Sequence, residues 1–325
     1  MKENRLPELI GKQGESLREA FGKALVKYSV EFPDFVVLDA DIAGGTGTHH
    51  FRKANPDRFY QFGIAEQNMM AAAGGMAATG LIPIVTTFAV FMLRSMEQAR
   101  LSIAYPRMNV KIVASHPGLD VGPDGASAQC LEDLATYRSI PNMVVISPCD
   151  TYEMELATKA MLQYNGPVYM RSGRSASISF LNKDYKFKIG KGNIIKNGNY
   201  ITLIGCGVTT YRAFKAANEL QNDGISVRVV NMSTIKPIDK ELIIQCSKET
   251  KGIITVEDHN VIGGLGSAVS EVVVQNCPVK MKILGVNDVF GESGEPDELA
   301  VKYGIDSDGI KKEVLKFINQ INEIK

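Results

Sequence analysis

Residues 63–80 read GIAEQNMMAAAGGMAATG, and the neighbouring chain is best read outward from them. A single carboxylate, Glu66, opens a run that carries no further charge until Arg94. Ala, Gly and Met fill the turns that follow, so the spacing predicts a helix over 66–79 able to lie close to another backbone. An acid near a helix N-terminus gains ~0.3–1 kcal/mol from the aligned peptide dipoles. Glu66 is therefore either a helix-end charge or a carboxylate kept for chemistry. Gln67–Leu93 is uncharged and long enough to span a bilayer. Thr79-Gly80 and Pro83 interrupt it, and Ile82–Thr87 has β character, so it reads as buried helix, turn, buried strand and the start of another helix, with no membrane span.

Outward from this stretch the pattern alternates. Glu15–Phe32 carries Leu17, Phe21, Leu25 and Tyr28 at helical spacing and is stopped by Pro33. Phe35–Leu38 is a short apolar run, expected as a buried parallel strand. The Gly-rich loop Asp39–His50 follows it, where α/β folds bind ligands. Helix 90–104, strand Asn109–Ser115, a loop over 116–129, helix Leu131–Tyr137, strand Met143–Ser147, helix Thr151–Leu162 and strand Val168–Arg171 complete the unit. A second unit begins at Tyr200–Gly205 and runs through helix 209–222, strand Ile225–Asn231, helix 239–249, strand Gly252–Glu257, helix 266–275, strand Met281–Val286 and helix Ser307–Glu323. Such alternation implies an α/β protein of two domains, each a mainly parallel sheet flanked by helices. The expected boundaries are 10–175 and 199–325, with 176–198 as a connection carrying a small edge hairpin.

Composition narrows the function classes. Of 325 residues, 45% are hydrophobic, enough for two cores. Lys plus Arg and Asp plus Glu both number 36, and no basic run appears, which argues against nucleic acid as a partner. The five cysteines, at 130, 149, 206, 246 and 277, are widely spaced and form no metal-ligand pattern with histidine, so no metal ligands are expected in this chain. Reduced thiols and a polar N-terminus, MKENRLPELIGKQ, predict a cytoplasmic protein.

Four stretches in order carry a resemblance: FGIAEQNM, TTFAVFMLR at Thr86–Arg94, SHPGLDVGPDGASAQ at Ser115–Gln129, and VEDHNVIGGLGSAV at Val256–Val269. Together they resemble the thiamine-diphosphate enzymes of the transketolase family over nearly the whole chain. The match is to the pyrimidine-binding domain and the C-terminal domain of those enzymes. The GDG sequence that opens the family's diphosphate and metal site is absent. The resemblance thus implies an N-terminal partner subunit that supplies the diphosphate site and Mg²⁺, in a heterotetramer built on a homodimer of this chain. It implies a transferase that moves a two-carbon ketol unit between sugar phosphates.

The resemblance also implies roles for particular residues. Glu66 matches the glutamate that shares a proton with N1′ of the aminopyrimidine and so promotes C2 deprotonation within the cofactor. Phe88 and Phe91, three apart, match aromatics that stack on the pyrimidine, although FxxF alone is an ordinary core pair. Arg94 either lines the pocket or ends its helix in solvent. Asp41 matches an acid beside the thiazolium and Ile42 the apolar residue that holds the cofactor bent; Asp39 or Asp41 as a turn cap is the alternative. Arg18, His116 and Arg171 match substrate-channel positions that hold phosphate, with a surface charge for Arg18 and an interdomain salt bridge for Arg171 as alternatives, and Arg174 in reserve. Asp124 matches an acceptor of donor-sugar hydroxyls and is also the centre of a Pro-Asp-Gly turn. His259 reads as an interface residue.

One departure bears on the substrate. The family pattern DGxTHQ or DGxSHQ is DGASAQ here, with Ala128 where a histidine is expected. Cofactor chemistry is untouched by this change, but the usual donor is put in question; His49 and His50 are candidates to substitute. A transketolase for an unusual or branched ketose phosphate, such as apulose 4-phosphate, is therefore a competing expectation. A deoxyxylulose-phosphate-synthase-like chain, a 2-oxo-acid dehydrogenase beta-type chain and a non-catalytic regulatory or assembly subunit are weaker ones.

Overall fold

The computed structural model describes residues 13–323; the polar N-terminal stretch and the expected domain start at residue 10 lie outside the described residues. The first domain opens with β1 (Gln13–Ser16) and α1 (Leu17–Tyr28). The buried Leu17, Phe21, Leu25 and Tyr28 of α1 fall on one face, as their spacing requires. β2 (Phe35–Asp39) follows. The Gly-rich loop after it is itself folded, into short helices α2 (Ala43–Thr46) and α3 (His49–Ala54), and leads to a short strand, β3 (Phe59–Gln61). Next come α4 (Glu66–Ala78) and β4 (Ile82–Phe88). The small residues of α4 permit the close approach expected of them: a Cβ on Gly74 would sit 2.7 Å from the Ser102 carbonyl oxygen.

The helix expected over 90–104 is broken into α5 (Ala89–Met92), a 3₁₀ turn at Leu93–Ser95, α6 (Met96–Gln98) and a π-helical stretch, Ala99–Ala104. Interruptions of this kind mark strained, often functional, segments. β5 (Lys111–Ser115), α7 (Asp133–Ser139), β6 (Val144–Ile146), α8 (Thr151–Gln163) and β7 (Val168–Ser172) finish the unit. The connection contains β8 (Ala176–Ile178) and β9 (Asn193–Lys196). The second unit runs β10 (Ile201–Gly205), α9 (Thr209–Asn222), β11 (Val227–Asn231), β12 (Thr234–Lys236), α10 (Lys240–Glu249), β13 (Ile253–Asn260), α11 (Leu265–Asn276), β14 (Met281–Val286), α12 (Pro296–Lys302) and α13 (Ser307–Asn322).

The first sheet has seven strands in the order β12-β6-β7-β5-β4-β2-β3, parallel throughout except for β12. The second has five, β14-β13-β10-β11-β9, antiparallel only at β9. The hairpin expected in the connection does not form. Its two strands find different partners, β8 pairing with β1 and β9 with β11. β12 crosses the expected boundary, since it lies in the second unit yet extends the first sheet. One hydrophobic core accordingly runs through both units, joining Val85 and Ile112 to Ile204, Val230 and Ile243. Separate cores fill the outer faces, against α1 and α8 on one side and α9 and α13 on the other.

Candidate active site

Parallel strands β2, β4, β5 and β7 end side by side, with Asp39 opposite Thr86, Phe88 opposite Ser115 and Ser115 opposite Ser172. Their carboxyl edge is where an α/β sheet leaves backbone groups and loops free for ligands. Asp39 builds the loop above that edge. Fully buried, it accepts from the Ile42 amide at 2.9 Å and from the hydroxyls of Thr46, Thr48 and Thr86 at 3.2, 3.1 and 3.3 Å. Asp39 therefore has the turn-capping role, and Asp41 is exposed at a left-handed φ of 66° with its amide donating to Gln61 Oε1. Ile42 is half-buried at the start of α2. Such a φ on a residue that is not glycine is uncommon and points to a shape fixed by its surroundings.

Glu66 is the first residue of α4 and only 3% exposed. Arg94, held in the 3₁₀ turn, places one terminal nitrogen 3.2 and 3.1 Å from its two carboxylate oxygens. The guanidinium end remains open to solvent, its side chain 56% exposed. Phe88 and Phe91 lie parallel, with ring centroids 5.5 Å apart. Phe88 also stacks on His116 at 3.6 Å. Gly45 makes room for that ring, since a Cβ there would come within 2.6 Å of Phe88. Glu66 thus meets Arg94, and the stacked Phe88 and Phe91 lie in the segment just before that arginine.

His116 is 2% exposed, has a left-handed φ of 59°, and pairs its Nδ1 with the Ser115 hydroxyl at 3.0 Å. Burial, then the charges of Arg18 and Arg174, push its pKa down to about 3. These surroundings favour the uncharged imidazole, which can still donate one hydrogen bond to a phosphate oxygen. Arg18 donates to the Gly45 carbonyl at 3.3 Å, and its buried Nε has no hydrogen-bond partner among the described residues. Asp124, 40% exposed, lies 3.6 Å from the Arg174 guanidinium, whose other end donates to the Val121 carbonyl at 2.7 Å. Asp120, missed in the sequence, orders this segment by accepting from the amides of Arg174 and Ser175, both at 3.1 Å. Ala128 donates its amide to the Gly125 carbonyl within the same turn.

Arg171 does not join this group. Its Nε donates to Asp133 at 2.8 Å, a terminal nitrogen pairs with the same carboxylate, and the other donates to the Asp258 carbonyl at 3.0 Å. All three nitrogens are engaged inside the protein: the ion pair is with Asp133 of the same domain, not the interdomain salt bridge expected as the alternative, and only the bond to the Asp258 carbonyl crosses to the second domain. Asp258 in turn accepts the amides of Leu119 and Asp120 at 2.8 and 3.1 Å, which fastens the 119–129 loop to the second domain. His259 lies in the same seam, fully buried.

The residues present fit the pyrimidine end of thiamine diphosphate. They offer a near-buried carboxylate, a pair of stacked, half-buried phenyl rings, and an orphaned Arg18 guanidinium nitrogen near the carbonyl of Gly45, the residue that adjoins Phe88. The diphosphate end has no GDG counterpart in the chain. Among the described residues no helix is long and apolar enough to cross a membrane.

Comparison with known proteins identifies the family. Residues 13–177 match the family described as "Transketolase, pyrimidine binding domain", and residues 190–310 that described as "Transketolase, C-terminal domain". The chain is 44% identical over 306 residues to the "Putative transketolase C-terminal section" of Methanocaldococcus jannaschii, covering 93% of this chain and 96% of that protein. It is 36% identical over 305 residues to one of the subunits of an apulose-4-phosphate transketolase from Phocaeicola vulgatus, covering 93% and 97%. A solved structure titled "Split gene transketolase, inactive beta4 tetramer" superposes with a TM-score of 0.87 at 45% identity, covering 93% of this chain and 98% of that one.

Proposed function

The chain belongs to the transketolase family, and we propose that it is the catalytic subunit of a two-subunit, cytoplasmic transketolase moving a two-carbon ketol unit between sugar phosphates. The family depends on thiamine diphosphate, which supplies an electron sink for breaking and making a carbon–carbon bond beside a carbonyl. One observation carries this reading: the buried carboxylate of Glu66 at the start of α4, met by Arg94 from the segment that also carries the stacked Phe88 and Phe91. Glu66 holds a proton against N1′ of the aminopyrimidine, and its dry surroundings keep water from competing for it. Phe88 and Phe91 orient the ring by face contact. Ile42 would supply an apolar wall beside the bound cofactor, Asp41 would present its carboxylate from the left-handed turn, and Arg94 keeps the Glu66 side chain in place.

Arg18 and Arg174 take the substrate phosphate, for which forked, permanently charged donors are suited. The neutral imidazole of His116 supplies one hydrogen bond, and Asp124 accepts from donor hydroxyls. The diphosphate and Mg²⁺ site comes from an N-terminal partner subunit, and two copies of each chain make the heterotetramer. A second reading concerns the substrate. Ala128 leaves the turn at 125–128 without an imidazole, which favours a ketose phosphate of unusual build, such as a branched one.

The test is reconstitution. The purified chain alone is expected to transfer no ketol unit, and addition of the partner, thiamine diphosphate and Mg²⁺ to give transfer across a donor and acceptor panel. Robust turnover by the chain alone overturns the two-subunit reading. Silence of a correctly assembled pair on every donor overturns the enzyme.

A further inference from the structure

Two glycines bring the second turn of α1 against the loop after β2. A Cβ on Gly22 would collide with the Gly47 carbonyl, and one on Gly47 with the Arg18 carbonyl. The two backbones are therefore in contact, and Glu19, three residues before Gly22 and on the same helix face, reaches α3. There its carboxylate meets His50 Nε2 at 2.7 Å. His49 lies beside His50, ring centroids 4.0 Å apart. One ligand atom from each of Glu19, His49 and His50 lies within 4.8 Å of the others. His49 Nδ1 is shielded from solvent and has no hydrogen-bond partner among the described residues. An unpaired, shielded ring nitrogen is costly unless something meets it.

We propose that Glu19, His49 and His50 form a binding site for a zinc-like divalent cation beside the substrate pocket. Two imidazoles and one carboxylate suit Zn²⁺, Co²⁺ or Ni²⁺, whereas Mg²⁺ prefers an all-oxygen shell. The site is thus distinct from any Mg²⁺ that accompanies thiamine diphosphate. Zinc holds such ligands at about 2.0–2.2 Å, and the three ligand atoms already lie within 4.8 Å of one another. All three side chains are partly solvent-accessible, which gives the ion a way in and leaves coordination positions for water. Bound there, the cation ties α1 to the loop that carries Asp41, Ile42 and Gly45. It thereby fixes the position of Arg18, the neighbour of Glu19, against the Gly45 carbonyl. No sequence spacing reveals this, because Glu19 and His50 are 31 residues apart.

The experiment is isothermal titration of Zn²⁺ into the untagged, metal-stripped full chain carrying Cys277→Ser, since Cys277 is the one free thiol that is not buried. The chain's other two histidines, His116 and His259, are buried and do not compete. One equivalent is expected to bind and to raise the melting temperature. His49→Ala and His50→Ala should each weaken binding by more than the roughly 10–100-fold that loss of an outer-shell partner costs. Glu19→Gln, which keeps the contact with His50, serves where a histidine variant is poorly folded by circular dichroism, and is expected to weaken binding in the same direction. Absence of saturable binding to the parent chain overturns the site. So does binding left unchanged by Glu19→Gln and the His49→Ala/His50→Ala pair.

Discussion

Arg171 and Arg174 are three residues apart, and they belong to two different kinds of region. At the seam between the domains Arg171 is buried and fully paired, with Asp133 and the Asp258 carbonyl as partners. Burial alone would raise the pKa of Asp133, but its ion pair with Arg171 outweighs this and holds it below the usual carboxylate range. At the pocket edge the cations are left partly free. Arg94 is more than half exposed, Arg174 is 30% exposed, and Arg18 has a nitrogen without a partner. The same contrast separates His259, with both ring nitrogens bonded to the backbone, from His116, strained in backbone and stacked on an aromatic ring. Paired charge holds the fold together, and charge held short of full pairing is available to a ligand.

The two most direct tests exchange the expected losses. Glu66→Gln, at the pocket, should lower turnover of the reconstituted pair by at least ~10²–10⁴-fold, the usual worth of general acid–base assistance. Its melting temperature and assembly should stay near those of the parent, because the side chain is near-isosteric. Near-parental exchange of the cofactor's C2 proton in an assembled Glu66→Gln complex would make Glu66 a helix-end charge only. Arg171→Met, at the seam, should cost ~3–5 kcal/mol of stability in denaturant titration, since it strands a buried Asp133. Turnover per folded molecule should survive. A stable Arg171→Met protein that fails only on phosphorylated substrates would return Arg171 to the pocket.

How much of this was legible in the sequence follows the same division. Helices with a full amphipathic stripe, such as α9 and α13, and apolar runs such as β2 and β14 are specified locally, so their positions are readable. β12 is not, because the three residues Thr234–Lys236 become a strand only by pairing with β6 of the other unit. The fractured helix over 89–104 is also set by its surroundings. It bends around Glu66 and α4, and no Pro or Gly inside it announces the breaks. Glu66, Phe88, Phe91 and Arg94 could be grouped because they share a motif order and a short span. Which of Arg171 and Arg174 is spent inside the protein depends on Asp133 and Asp258, which lie 38 and 87 residues from Arg171. Two arginines in MRSGR give no local sign of that choice.

Arg174 sharpens the comparison from the pocket side. Arg174→Ala should weaken phosphorylated substrates by ~1.5–3 kcal/mol, the range for hydrogen bonds to charged groups, and leave unphosphorylated analogues nearly unaffected. Arg174→Lys keeps the charge but loses the fork, so it should recover part of the loss. The measurement is kcat/KM for matched substrates with and without the phosphate. Equal losses on both would assign Arg174 to the loop alone, through its bonds to Val121 and Asp124.

The smallest expected effect tests whether the seam is balanced as well as paired. Glu257, fully buried, accepts the amides of Leu265 and Gly266 at 2.6 and 2.8 Å, yet burial outweighs these bonds and raises its pKa to about 7. His259, whose carboxylate neighbours are Glu257 and Asp133, is pushed down to about 4 by burial and then by Arg171. The partners fit a neutral ring, since His259 Nε2 accepts the Ala135 amide at 3.3 Å, which leaves Nδ1 to donate to the Asn260 carbonyl at 2.6 Å. Between about pH 4.5 and 7 the folded chain holds a proton on Glu257 that the unfolded chain has lost, so this group makes stability fall as pH rises. Between about pH 4 and 6.5 the unfolded chain holds a proton on His259 that the folded chain lacks, so this group makes stability rise. The two slopes oppose each other over most of their range. His259→Gln removes one of them and keeps a side chain able to hydrogen-bond. Relative to the parent, its stability should then fall toward neutral pH, by at most about 1.4 kcal/mol per pH unit, the limit for one proton. Denaturant midpoints at pH 5, 6 and 7 (~7 being the upper end of the window) decide it. Parallel curves for parent and variant would mean that His259 does not offset Glu257, and that the seam is paired without being balanced.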